Sequence, residues 1–443
     1  MNNKLLGLFE GPFMIFFLSF IVISIYAQGP DTFTEIDVLH YSGQVEPDIT
    51  NKSIQGKVII QFLIKGKDQG KIKLDCGELI IESVHIGKLA VPFDHRNNLL
   101  LLPYTFKKDK RVQEVEILYH GKPRWGINFF PVLEEVYTVF STAQWLVCKD
   151  SPDDKATLEL SLIMPSGLQV ISNGDLAQET PLGNQKIMYV WSQKIPAPTY
   201  TFGFVAGHFT QLTEQRGKIR FQYFAKDHSE AELKQIFAET GAMLNFFEDH
   251  SGVPYPGNVY SQVLTEGNVF QEMSGFAVLR SSYGKQVLAN ALEINLLAHE
   301  LAHQWWGNQV TCLDWNHFWL NEGLAVFMSS AYKERRFGRD EYLKDIDVYL
   351  KAYQKVVDQE MDKPLIFSDW SHPTSDDRTL VYFKGAYVLH LLREEMGEKE
   401  FWNGIKLYTT SFFGKSVITQ NLQEAMEQAA GQDLNAFFST WIK

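Results

Sequence analysis

Cysteine is scarce in this 443-residue chain, limited to Cys76, Cys148 and Cys312. Three thiols close at most one bridge and leave one over, which excludes a disulfide framework. None has a second cysteine at metal-ligand spacing, so they read as buried apolar thiols. Positive charge is also short. With 41 Lys+Arg against 53 Asp+Glu, the formal net charge is −12, which excludes nucleic acid or an anionic membrane surface as the main partner. The run Lys333-Glu334-Arg335-Arg336 is mixed in sign and reads as a solvated helix end. Repeats and low-complexity tracts are absent, and a composition 45% hydrophobic and 21% charged excludes a mostly disordered chain.

Long apolar runs are lacking except near the start, where Phe13 to Tyr26 follows Lys4 and precedes Ala27-Gln28. Such a run of about 14 residues suits the core of a signal peptide and falls short of the roughly 20 needed to span a bilayer. Residues 1–27 are therefore expected to be a signal peptide or a signal anchor; Ile25 is a poor match for the small residue that cleavage after Ala27 prefers. The expected location is outside the cytoplasm: periplasmic, extracellular, or held at a membrane by this segment alone.

The length predicts two or three domains. From Gln28 to about Thr213 short alternating apolar runs, such as Lys57 to Ile64 and Ala156 to Met164, are separated by turns such as Ser172-Asn173-Gly174-Asp175. This pattern predicts an all-β domain over 28–214. The polar stretch Glu214 to Lys218 reads as the boundary. Beyond it the pattern turns mainly helical, with segments over 230–247, 341–358, 380–396, 398–412 and 422–430, and predicts an α+β domain over 215–443.

The second domain contains the stretch LLAHELAHQWWGNQVTCLDWNHFWLNEGLA, residues 296–325. His299 and His303 stand four apart, one above the other on a helix face, and can both address one metal ion. Glu300 sits beside them, and Glu322 follows 19 residues after His303, at the head of a second apolar segment that can present it from a neighbouring helix. Two histidines, one carboxylate and an open position for water make the ligand set of a catalytic zinc ion. Glu300 is placed to act as general base and acid. Leu297, Leu301, Ala302 and Trp305 give this helix an apolar face to bury. His317 lies near Glu322 in sequence, but three ligands are already assigned.

These residues carry a resemblance. H-E-L-A-H-Q-W-W-G-N-Q-V-T with W-L-N-E-G resembles the aminopeptidase N family of gluzincin zinc metallopeptidases, which includes leukotriene hydrolase. Tyr382-Phe383-Lys384-Gly385 matches the family's Y-x-K-G, about 60 residues after the glutamate ligand. On spacing alone Tyr382 is one of 18 tyrosines; the resemblance implies that it stabilises the oxyanion. The stretches 145–156 and 199–209 are similar to the family's N-terminal domain, with Leu146, Val147 and Ser151 as departures. The resemblance thus runs from about residue 30 to 443 and implies a saddle-like β domain followed by a thermolysin-like catalytic domain. It also implies one zinc ion and peptide substrates with a free N-terminus.

Two departures stand out. The family's G-x-M-E-N, whose glutamate holds the substrate amine, is replaced by Val269-Phe270-Gln271-Glu272-Met273, so Glu272 is the candidate anchor. The chain also ends where the family's catalytic domain ends, so the cleft is expected to be more open than in longer relatives or covered by a partner. The rival readings are a zinc endopeptidase or other zinc hydrolase on the same fold, and a non-catalytic binding protein.

Overall fold

The alternating run Lys57 to Ile64 lies within one strand, Ser53–Lys65, with Val58, Ile60 and Phe62 turned into a core. This computed structural model describes residues 33–65, 70–103, 112–367, 370 and 373–442. Ser53–Lys65 pairs antiparallel with Glu35–Asp48 and Gln113–Gly121 inside an eight-stranded sheet. In the same sheet Glu35–Asp48 runs parallel to Lys155–Pro165, which pairs in turn with Lys186–Pro198. A three-stranded and a four-stranded sheet complete the N-terminal half. The four-stranded one orders Gln169–Ser172, Phe204–Gly207, Glu135–Thr138 and Ile127–Phe130. Cys76, Cys148 and Cys312 are buried and unbridged.

The second half is built on a five-stranded sheet ordered Thr210–Arg216, Ile219–Ala225, Val259–Thr265, Phe276–Arg280, Gln271–Met273. Its central strand, Val259–Thr265, is buried at every position, as expected where parallel strands are covered on both faces. Helices cover this sheet and form the larger of the apolar cores. A third, smaller core lies at the seam, where Tyr137, Ile171 and Val205 of the first half meet Phe224, Val263, Met273 and Phe276 of the second. The two halves therefore share packed apolar surface.

Sheet membership changes between Gly207 and Thr210. Thr210–Arg216 pairs residue by residue with Ile219–Ala225, so the polar stretch 214–218 is the exposed end of a hairpin in the second sheet. A solvated hairpin end and a domain boundary have the same polar composition, which is why the stretch reads as a boundary in the sequence. The helical pattern over 230–247 likewise resolves into two helices, Glu230–Ile236 and Thr240–Ser251, the first opened by a Ser229/Glu232 capping box. The segment 1–27 lies outside the described residues. Among the described residues no helix is long and apolar enough to cross a membrane.

Candidate active site

Leu297, Ala298, Leu301 and Ala302 bury one face of the helix Asn295–Ala302 and fix which way it points His299 and His303. The two Nε2 atoms converge to 3.0 Å. The Nδ1–H of His303 donates to the Trp306 carbonyl at 2.9 Å, and the tautomer assigned by that bond leaves Nε2 free as a ligand. The neighbouring helix, Trp319–Phe337, presents Glu322 from its first turn. One oxygen of Glu322 lies 3.4 Å from each of the two Nε2 atoms.

Three donor atoms so close, all on buried side chains, fit a cation. A tetrahedral ion with bonds of 2.0–2.1 Å has ligand–ligand edges of about 3.3–3.4 Å, against 3.0, 3.4 and 3.4 Å here. Among the described residues Glu322 Oε2 has no hydrogen-bond donor, although it is buried. A buried carboxylate oxygen left unpaired costs free energy unless a cation meets it. The set of two imidazoles and one carboxylate is that of a zinc site with an open position.

The electrostatics agree. Burial pushes the Glu322 carboxyl up, but the imidazoles of His303 and His299 outweigh it and hold the group down to about 2. Burial pushes His303 down, yet the carboxylates of Glu272 and Glu322 drive it up to about 10. Carboxylates that hold a proton on His303 would hold a divalent cation in its place. Burial, opposed by His303 and reinforced by Glu272 and Glu322, raises Glu300 well above the usual carboxylate range. Its Oε2 is also buried without a hydrogen-bond partner among the described residues.

Tyr382 reaches the same space from a π-helical turn, Leu380–Lys384, that leads into the helix Gly385–Met396. Such turns re-aim side chains and recur at functional sites. Its ring lies 6.0 Å from that of His299, with planes 21° apart. Burial and the carboxylates of Glu322, Glu272 and Glu300 raise its pKa well above the ordinary phenol value, so it remains a hydrogen-bond donor.

Glu272 sits on the edge strand Gln271–Met273, buried, within reach of His303 and Glu322. Burial lifts its pKa to about 7. Because Gly, Met and Asn of the family pattern are replaced, the segment needs other supports, and the structure supplies them. Gln304 donates to the Met273 carbonyl and accepts from the Gly275 N–H, both at 2.9 Å. Gln271 donates to the Tyr200 carbonyl at 2.9 Å and accepts from the Phe140 N–H. Asn173 donates to the Ser274 carbonyl at 2.8 Å.

The six residues singled out in the sequence thus gather around the two imidazoles, with Tyr382 half-buried and the other five buried. His317 does not join them; its Nδ1 meets the Thr419 hydroxyl at 2.9 Å. The sequence reading passed over Gln304, Asn321 and Tyr200. The available signal was amide and hydroxyl groups set in otherwise apolar stretches, since a polar residue there needs a buried partner.

Comparison with known proteins matches both halves. Residues 236–441 match the Peptidase family M1 domain, and residues 137–201 the Peptidase M1 N-terminal domain. Aminopeptidase M1-C of Oryza sativa subsp. japonica is 26% identical over 311 residues, covering 67% of this chain and 35% of the relative. The chain spans half or less of the length of such curated relatives. An M1 zinc metallopeptidase from Deinococcus radiodurans, solved as a mutant bound to a Tyr-Ser-Ala substrate, superposes with a TM-score of 0.78 at 22% identity. That match covers 92% of this chain and 94% of the solved one. Native yeast LTA4 hydrolase gives 0.79 at 20% identity, over 94% of this chain and 70% of the solved one. Two matched domains in the family's order, on the family's two-domain fold, place the chain in peptidase family M1.

Proposed function

We propose that this protein is a zinc-dependent aminopeptidase that removes the first residue from peptides with a free N-terminus. The observation that carries this reading is the convergence of His299, His303 and Glu322 to within 3.4 Å, with Glu300 and Glu272 buried beside them and the half-buried Tyr382 ring next to His299. A binding module has no use for a buried general base and a phenol donor beside a metal.

His299, His303 and Glu322 hold the ion. Zinc, when bound, supplies Lewis acidity that acidifies water and polarises the scissile carbonyl. Glu300 takes the proton from the attacking water and delivers it to the departing amine. Tyr382 donates a hydrogen bond to the oxygen on which negative charge develops. Glu272 accepts from the substrate's ammonium group in a charge-assisted hydrogen bond and sets the distance to the first peptide bond. Residues 1–27 support export, which mass analysis of the mature N-terminus from the producing cell would test.

The direct test of the chemistry is Glu300→Gln. The variant keeps its zinc and loses hydrolysis by at least about 10²-fold, the scale of a positioned acid–base group. A zinc-loaded variant with near-full activity would overturn the mechanism.

A further inference from the structure

Tyr200 belongs to the N-terminal half, in the short turn Thr199–Thr201 that follows the strand Lys186–Pro198. Among the described residues no hydrogen bond joins it to a ligand side chain, yet three segments that carry the site are tied to it. Its hydroxyl donates to the Gly307 carbonyl at 3.1 Å and accepts from the Asn321 amide at 3.1 Å. Its own carbonyl accepts from the Gln271 amide at 2.9 Å. Its ring packs edge-on against Trp315, with centroids 5.4 Å apart.

Each of those partners is one step from a site residue. Gly307 follows Trp306, whose carbonyl orients His303 through Nδ1. The loop is tight there: the Asn308 N–H returns to the His303 carbonyl at 2.9 Å. A Cβ on Gly307, whose φ is +137°, would lie 2.8 Å from His303 Nδ1. Asn321 precedes Glu322, and its Oδ1 accepts from the Cys312 N–H at 3.0 Å. Gln271 precedes Glu272. A hydroxyl that donates and accepts at once can bridge two such segments, whereas a phenyl ring leaves a buried carbonyl and a buried amide without partners.

A second contact from the same half reinforces the loop. The Lys155 ammonium donates to the carbonyls of Asn308 at 3.3 Å and Lys415 at 3.2 Å, and also to that of Gln309.

We infer that Tyr200 is a positioning residue for the metal site, holding the segments of His303, Glu322 and Glu272 in register, so that the N-terminal half is part of the zinc centre. This rests on the metal reading above, and the test separates the two. The measurement is the zinc dissociation constant of the full chain, by competition with a chromogenic chelator, well below each variant's unfolding temperature. Outer partners of metal ligands typically govern affinity by about 10–100-fold, so Tyr200→Phe raises the dissociation constant by at least about 10-fold. On peptide substrates kcat falls while KM stays within about two-fold. Asn321→Ala, on the other side of the same hydroxyl bond, weakens zinc in the same direction. Trp315→Leu disturbs packing on the same ring without touching these bonds, and keeps the zinc constant of the unaltered protein. Folded Tyr200→Phe and Asn321→Ala variants that lower the unfolding temperature but bind zinc as tightly as the unaltered protein would overturn the inference. An unaltered protein that binds no zinc at one ion per chain would instead overturn the metal reading itself.

Discussion

Gly323 and Gly385 face each other backbone to backbone: a Cβ built on Gly323 would lie 3.0 Å from the Cα of Gly385, and one on Gly385 3.1 Å from the Cα of Gly323. The first glycine follows Glu322 and the second ends the turn that carries Tyr382. Their contact sets how closely the glutamate ligand and the phenol approach. Gly385→Ala is therefore expected to push the two helices apart, at a cost of about 1–3 kcal/mol for overpacking. A small displacement of Tyr382 should also lower kcat by at least about 10-fold. Zinc content should stay at one per chain, because His299 and His303 are on another helix. Steady-state kinetics with metal analysis checks this; unchanged kcat would show that the glycine contact does not govern the site.

Tyr382→Phe removes the donor and keeps the ring beside His299. Loss of one oxyanion donor typically costs about 10²–10³ in kcat. The expected result is that loss with little change in KM, read from initial rates on a peptide series. A change confined to KM would make Tyr382 a substrate-binding group.

Glu272→Gln replaces the charged acceptor for the substrate amine with a neutral one of the same shape. Charge-assisted hydrogen bonds are about twice as strong as neutral ones, so KM for free peptides is expected to rise by roughly 10-fold, about 1.4 kcal/mol. Zinc should stay bound at one ion per chain, because His299, His303 and Glu322 are unaltered. An unchanged KM would remove Glu272 from the amine site.

Away from the site, Asp150 is a pH-dependent weakness of the N-terminal half. Burial, then the neighbouring Asp75, lifts its pKa to about 7. An acid whose pKa is higher folded than unfolded binds more protons when folded, so its contribution favours folding at low pH and fades as pH rises from about 4 to about 7. Asp150→Asn should match the unaltered protein near pH 4–5 and exceed it by about 1–3 kcal/mol at pH 8. Thermal unfolding across pH measures this, and parallel curves would contradict it.

The chemistry was legible in the sequence because it is local. His299, Glu300 and His303 lie on one helical turn, which periodicity alone brings together, and Glu322 heads the next long helix, which packs beside it. Tyr382 and Glu272 needed the family resemblance, since no spacing links them to the histidines. The supports were not legible. Gln271 and Gln304 hold the Glu272 segment through backbone carbonyls and N–H groups of distant residues, and such partners leave no periodic trace. The π turn at Leu380–Lys384 was read as ordinary helix because its apolar spacing differs from the α pattern by a single residue. The hairpin end at 214–218 reads as a domain boundary because both are polar and exposed.

The central claim is removal of a first residue by a zinc site that recognises a free amine. Its most direct measurement is mass-resolved hydrolysis of one peptide and its N-acetylated twin by the zinc-loaded protein. The account predicts sequential release of single residues from the free peptide and a loss of at least about 10²-fold for the acetylated one, consistent with a buried carboxylate left without its ammonium partner. Equal rates for the two peptides, or cleavage at internal bonds, would contradict it.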